Sequence, residues 1–216
     1  MKLLTTSYVI QTAQLPQSGR HIVVQYDEAS VVVYQAYRPE IAHFAVQHGY
    51  FGGEFSFSRM SWIKPNFLWM MYRSGWGTKA GQEATLAIRI KRSAFDTILA
   101  TAVHSSFVPE VYTSEVEWRQ AVAQSSVRLQ WDPDHHPSGG KLERRAIQLG
   151  LRGDVLAQYA RDWIVDIEDI SDFVQHQYQV VRSQDWAQLL VPSEAVYPVT
   201  DPAIAGRLQL STLEEI

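Results

Sequence analysis

Two strand-like runs follow one another before any helix appears, and this order narrows the fold more than any other feature of the chain. HIVVQYD (residues 21–27) alternates in the manner of a strand, Asp27-Glu28-Ala29-Ser30 has turn composition, and VVVYQAY (31–37) reads as a second strand, so a hairpin is expected. The first clear helix comes next. Pro39 suits a first helical position, Ile41, Phe44, Ala45 and His48 share one face, and Gly49 supplies the stop. Strands that are adjacent in sequence, as well as strands separated by helices, argue for an α+β domain with a mixed or antiparallel sheet and flanking helices, not a regular parallel α/β sheet.

Further along, EFSFS (54–58) reads as a short strand, PNFLWMMYR as a helix opened by Pro65 and ended near Gly75, and ATLAIRIK (84–91) as a strand before the helix SAFDTILATAV. Ser114 and Glu117 have capping-box spacing and predict the start of a helix through EWRQAVAQ. SVRLQW reads as a strand, DPDHHPSGG as a loop, and LERRAIQLGL fits helix or strand equally. Asp154 is expected to cap one long helix in which Leu156, Tyr159, Trp163, Ile167, Ile170 and Val174 recur at helical spacing. The 216 residues fit a single domain, with a core over about 20–198 and a C-terminal tail at 199–216.

Composition excludes several chemistries. With no cysteine there is no disulfide, no thiolate nucleophile and no cysteine-ligated zinc or iron–sulfur site. The N-terminus is too weak for a signal peptide, and no run approaches the ~20 apolar residues of a membrane span. A soluble, cytoplasmic protein with no membrane partner is expected. The net charge of −4 is unevenly spread: residues 59–92 hold seven basic side chains against Glu83 alone, and residues 154–185 hold seven acids against Arg161 and Arg182. A locally basic region in an acidic chain fits a phosphate or carboxylate ligand; electrostatic pairing of the two regions fits as well.

Candidate site residues fall in four stretches. In VVVYQAYRPEI a strand carrying Gln35 and Tyr37 ends at Arg38 just before a helix, where a forked guanidinium can take phosphate, or can simply pair with Glu40. FSFSRMSWIKPNFLWMMYRSGW combines Ser56, Ser58 and Ser61 with Arg59, Lys64, Trp62, Trp69 and Tyr72, a mixture suited to an aromatic, phosphate-bearing ligand as much as to a core. VRLQWDPDHHP offers Gln130, Asp132, Asp134, His135 and His136. These are metal-ligand types, but Asp-Pro-Asp is also ordinary turn chemistry, and Gln130 or Asp132 at a strand end can instead orient a substrate hydroxyl. KLERRAIQLGLRG brings Lys141, Arg144, Arg145 and Arg152, as a phosphate-binding or a solvated face. Ser138-Gly139-Gly140-Lys141 lacks the leading glycine and the following Ser/Thr of a phosphate loop, and no GxGxxG, HExxH or GxSxG occurs.

YQAYRPEIAHFAVQHGYF, FSRMSWIKPNFLWMMYRSGWG, VRLQWDPDH and RRAIQLGLRG together resemble the bacterial and fungal family of domain of unknown function 4291, over about Ile22 to Tyr197. The order VVVYQAYR, PEIAHFAVQHG, EFSFS, PNFLWMMYR also resembles, at the level of element order, the ADP-ribosyltransferase superfamily, which implies an ADP-ribosyltransferase-like fold and NAD as substrate. By that resemblance Arg38 holds the NAD phosphate or ribose near Gln35, Ser56 and Ser58 order the nicotinamide ribose, Trp62 or Tyr72 flanks the ring, and Arg59 and Lys64 meet phosphate. The superfamily's catalytic glutamate has no clear counterpart; Gln130 and Asp132 stand nearest, and glutamine stabilises developing positive charge less well than a carboxylate. Related RNA 2′-phosphotransferases rely on basic groups instead. The expected function is transfer of ADP-ribose from NAD to a protein, nucleic-acid or small-molecule acceptor. The alternative is a non-catalytic nucleotide or nucleic-acid-binding module in which Arg59, Lys64, Arg73 and Arg144 meet phosphates. A third is a protein-interaction domain using the acidic segment from Asp154.

Overall fold

The computed structural model describes residues 3–212. In chain order the elements are β1 (Thr5–Ser7), α1 (Tyr8–Gln14), β2 (Val23–Val24), β3 (Ser30–Tyr37), α2 (Pro39–His48), β4 (Ser61–Ile63), α3 (Phe67–Ser74), β5 (Ala84–Lys91), α4 (Arg92–Thr101) and β6 (Ala102–His104). They continue with α5 (Glu115–Gln124), β7 (Val127–His135), β8 (Lys141–Leu151), α6 (Gly153–Arg161), β9 (Ile164–Asp169), α7 (Ser171–Ser183), β10 (Leu190–Pro192), β11 (Ala195–Val196) and α8 (Pro202–Leu208). The class is α+β. A three-stranded antiparallel sheet, β3-β5-β9, lies beside a four-stranded sheet, β4-β8-β7-β6, whose β6–β7 pair is parallel.

Both faces of the three-stranded sheet are covered, which explains the unbroken apolar run at β3. Val31 and Val33 of β3, with Leu86, Ile88 and Ile90 of β5, face a large core shared with β7, β8, α2, α4 and α6. Val32, Tyr34 and Ala87 face a second core built with Phe67, Met70 and Met71 of α3 and Val174 and Val181 of α7. The two sheets meet at one antiparallel bridge: Tyr34 N–H donates to the Lys64 carbonyl at 2.8 Å, and Lys64 N–H to the Tyr34 carbonyl at 3.1 Å.

Local signals set several boundaries as expected. Gly49 closes α2 in the left-handed region at φ 75°, β5 spans 84–91, and the Ser114 side chain caps α5 by accepting from Glu117 N–H. Glu117 completes the turn differently from a reciprocal box, since its carboxylate accepts from Thr113 N–H and Thr113 Oγ1–H. Asn66, not Pro65, caps α3: its side chain accepts from Trp69 N–H.

Several expectations change, in part or in whole. The hairpin is rudimentary, because β2 holds only Val23–Val24 and pairs with β11, leaving the Tyr26–Val31 bridge to join it to β3. EFSFS forms turns and not a strand. It has no backbone ladder to join, and its alternation is used instead to bury Phe55 against Phe51 and Tyr37. The expected long helix from Asp154 is α6, β9 and α7; Trp163 follows the turn after α6, and Ile167 pairs with Ile88 as a strand residue. The helical recurrence there is three elements presenting apolar groups to two cores. DPDHHPSGG begins as strand, since β7 runs to His135, and LERRAIQLGL lies in β8. Within the segment read as a tail, Asp201 caps α8, and Leu208 is buried; residues 213–216 lie outside the described residues.

Candidate functional site

Along β3, the face that carries Val31 and Val33 into the core continues as Gln35 and Tyr37 at the strand end. There it opens into a cleft of about 740 Å³. Its walls come from the end of β3 (Gln35–Arg38), the loop at 54–60, β4 with Lys64, Met70 and Arg73 of α3, and Gln130 and Gln148, which pair across β7 and β8. Met70 and Arg73 share a helix face at i, i+3 spacing, which brings both to the cleft.

One hydrogen-bond network fixes the inner wall. Tyr159 O–H donates to Gln35 Oε1 at 2.8 Å, which orients the amide so that Gln35 Nε2 donates to Tyr37 Oη and Ser61 Oγ, each at 2.8 Å. Those two hydroxyls also contact each other at 2.8 Å. Both accept from Gln35, and only one hydrogen is needed between them, so one hydroxyl hydrogen remains to be offered to the cleft. Burial pushes the Tyr37 phenol well above its ordinary range, which keeps it protonated.

The charge balance of the cleft is uneven. Glu54 is the one acid among the lining residues, and its carboxylate is already bonded by Arg38, which also approaches Glu40 at 3.9 Å. The Arg59 and Arg73 guanidiniums find no hydrogen-bond or ion-pair partner among the described residues. Lys64 is only 6% exposed, and its ammonium donates to the Trp62 carbonyl at 3.3 Å without any carboxylate within ion-pair distance. Burial first, then the nearby Arg73, lowers its pKa from 10.5 to about 8, against the pull of Asp132. The Asp132 carboxylate is held elsewhere, accepting from Gln130 Nε2 at 2.9 Å and Gln148 Nε2 at 2.7 Å. A donor-rich, acceptor-poor cleft of this kind is suited to an anion.

Trp62 can lie over the four-stranded sheet because its register partner is Gly150. A Cβ there would sit 2.5 Å from Met60 Sδ and 3.0 Å from Trp62 Cε2. Glycine therefore gives the closest fit at this point of the cleft wall, since any Cβ would make Met60 and Trp62 shift.

Gln35, Arg38, Ser56, Arg59, Trp62, Lys64 and Gln130 all line the cleft. Ser58, Tyr72 and Asp132 are not lining residues. The Ser58 hydroxyl meets that of Ser56 at 3.2 Å, and Asp132 stands behind its two glutamines. Tyr72 projects from a different face of α3 than Met70 and Arg73 and stacks on His135, ring centroids 3.5 Å apart. Arg144 is also removed from the phosphate-binding set, because it is buried on β8 and bonds Asp134 Oδ2 through Nε at 2.9 Å and Nη2 at 2.6 Å. Asp134 is thereby committed, and among the described residues no group of three or more His, Asp or Glu side chains is arranged to hold a metal ion.

Sequence reasoning missed Gln148 and Glu54. Gln148 was legible only once AIQLGL is read as a strand, where a polar residue opposite the Ile147 and Leu149 face marks the outer surface. The family model described as Domain of unknown function (DUF4291) matches residues 21–197, most of the chain and nearly the whole of the cleft-forming core. The chain belongs to this family. No curated protein matches it. The matched region of this DUF4291 domain contains every residue that lines the cleft. Among the described residues, no helix is long and apolar enough to cross a membrane.

Proposed function

We propose that the cleft of this DUF4291 domain binds a phosphate-bearing nucleotide, with NAD as substrate, and that the domain transfers ADP-ribose to an acceptor. One observation carries the reading: Arg59, Lys64 and Arg73 line a single cleft beside Trp62, the cleft's one lining acid, Glu54, is bonded by Arg38, and among the described residues none of the three has an ion-pair partner. A diphosphate supplies the missing negative charge, and an indole supplies a stacking surface for a nicotinamide or adenine ring. Arg38 joins the phosphate set by exchanging Glu54 for the ligand, at modest cost because both side chains are about half exposed. Ser56 at the rim and the free hydroxyl hydrogen of the Tyr37–Ser61 pair are donors for ribose or amide oxygens.

In the transfer, the bond between the ribose anomeric carbon and the nicotinamide nitrogen breaks, and the neutral nicotinamide leaves with the bonding pair. The acceptor's nucleophile then attacks the ribosyl cation and gives up a proton. Gln130 is the residue that touches the substrate from β7. Asp132, accepting from both amides behind Gln130 and Gln148, acts as a positioning residue that aims both amide oxygens outward, where their dipoles face the developing positive charge.

The test is calorimetric titration with NAD, followed by assay of free nicotinamide. Saturable binding is expected, weakened about tenfold or more in Arg38→Ala with the fold intact, an effect of the size of one charge-assisted hydrogen bond. No heat at millimolar NAD would sink the reading. A short RNA that binds instead, with affinity falling steeply as salt rises, would favour the non-catalytic nucleic-acid module.

A further inference from the structure

Lys64 differs in kind from the arginines above it. Arg38, Arg59 and Arg73 are exposed at the rim, whereas Lys64 lies at the floor with its backbone locked on both sides by Tyr34 and its neighbours Ile63 and Pro65 buried. Buried lysines ordinarily meet a carboxylate. Here the nearest acid, Asp132, spends its oxygens on two glutamine amides, so the amine keeps a single carbonyl contact and at least two hydrogens without protein acceptors. The fold thus holds an amine desolvated, beside another cation, at the base of a cavity large enough for a small molecule. That combination activates lysine as a nucleophile by favouring the neutral form.

We propose that Lys64 is a nucleophilic amine that forms a Schiff base with an aldehyde or ketone carrying a phosphate or carboxylate group. The nitrogen lone pair attacks the carbonyl carbon, the carbonyl π pair moves to oxygen, and a proton passes from nitrogen to that oxygen to give a carbinolamine. The departing hydroxyl then leaves as water with the second nitrogen proton, relayed through solvent, while the nitrogen lone pair forms the C=N bond of the imine; no oxidant or reductant is consumed. The rim arginines hold the anionic group while the carbonyl reaches the floor. The groups that set the amine's protonation are Arg73 on α3, which opposes charge, and Asp132 on β7, which favours it. The proposal does not depend on NAD being a ligand.

Pyridoxal 5′-phosphate is a suitable probe, since it joins an aldehyde to a phosphate. The full chain is incubated with it at pH 7.5, reduced with borohydride and mapped by peptide mass. The result expected is one saturable adduct at Lys64, formed about tenfold or more faster than at Lys79, Lys91 and Lys141, which are exposed to water and outside the cleft. Labelling at Lys64 rises with pH to a plateau just above 8. Adducts confined to the exposed lysines would overturn the proposal, and this readout needs no variant. Lys64→Met and Lys64→Arg, whichever folds, lose the fast adduct; its persistence would equally overturn it. Pyridoxal without the phosphate reacts more weakly, and equal labelling by the two aldehydes would refute the anionic requirement. Nicotinamide release from NAD is measured separately, so an adduct without NAD turnover refutes the proposed function alone.

Discussion

Two polar clusters in this molecule treat their charges in opposite ways. Beside α1, Arg144 donates through Nε and Nη2 to Asp134 Oδ2 with both side chains almost fully buried, and Arg144 Nη1 also donates to the Pro16 carbonyl at 2.6 Å. Next to them Glu194 accepts from Phe67 N–H at 2.7 Å and from Asn66 Nδ2 at 3.1 Å, so it closes the N-terminus of α3. The space left there is about 10 Å³. The cleft at the other end of the β3–β4 junction leaves Lys64, Arg59 and Arg73 without acids around about 740 Å³. Where charges are paired and the space is filled, the cluster holds elements together. Where cations are left uncompensated and the space is open, the structure has room for a ligand to complete the balance.

The sharpest way to break this contrast is to remove one charge from each cluster. Asp134→Ala strands the Arg144 guanidinium in the interior and is expected to cost about 3–5 kcal/mol in urea denaturation. Lys64→Met removes a desolvated charge that has no carboxylate partner, and is expected to leave stability unchanged or raised while abolishing the fast aldehyde adduct. Equal losses from the two substitutions would show that the clusters do not differ as described.

The pH dependence sharpens the same point. The Lys64 pKa is lowered on folding, from 10.5 to about 8, so between those values the unfolded chain binds more protons and stability rises with pH. The contribution is fully present above the unfolded value and lost as pH falls through about 8; over that window it amounts to about 3 kcal/mol. Denaturation of wild type and Lys64→Met at pH 7.5 and 10.5 should therefore show the wild type gaining on the variant by about that amount. A constant difference would mean that Lys64 is not desolvated.

The smallest expected effect is at the cleft wall. Gly150→Ala introduces a Cβ against Met60, whose flexible end can move, and against the Trp62 ring, which must shift by a few tenths of an ångström. A loss of about 1 kcal/mol is expected, together with weaker binding and a changed tryptophan emission. Unchanged binding would show that Trp62 is not a wall of the ligand site.

Much of the local structure was legible in the chain, for reasons confined to a few residues. Gly49 stops α2, Ser114 starts α5, and ATLAIRIK is a strand because β5 is central, paired with β3 along its length and with β9 from Leu86 to Ile90, with a core on either face. The site was legible to a similar depth. Polar and basic groups at the end of β3 and around β4 do line one cleft, because strand ends and the helix that follows bring them there. The element boundaries between 153 and 183 were hidden, since a strand between two short helices can keep a helical recurrence of apolar groups when each element faces a different core.

The sequence by itself determined the α+β class, the family and the identity of the cations, because periodicity, caps and long peculiar blocks are local properties. Only the tertiary structure decided which of those cations are free. Arg144 and Lys64 are both basic residues in strand-rich segments, and nothing in their spacing separates them. One meets Asp134 across a bulged strand pair, and the other loses Asp132 to Gln130 and Gln148. Charge compensation is a property of distances between residues far apart in the chain, so only the folded molecule can assign it.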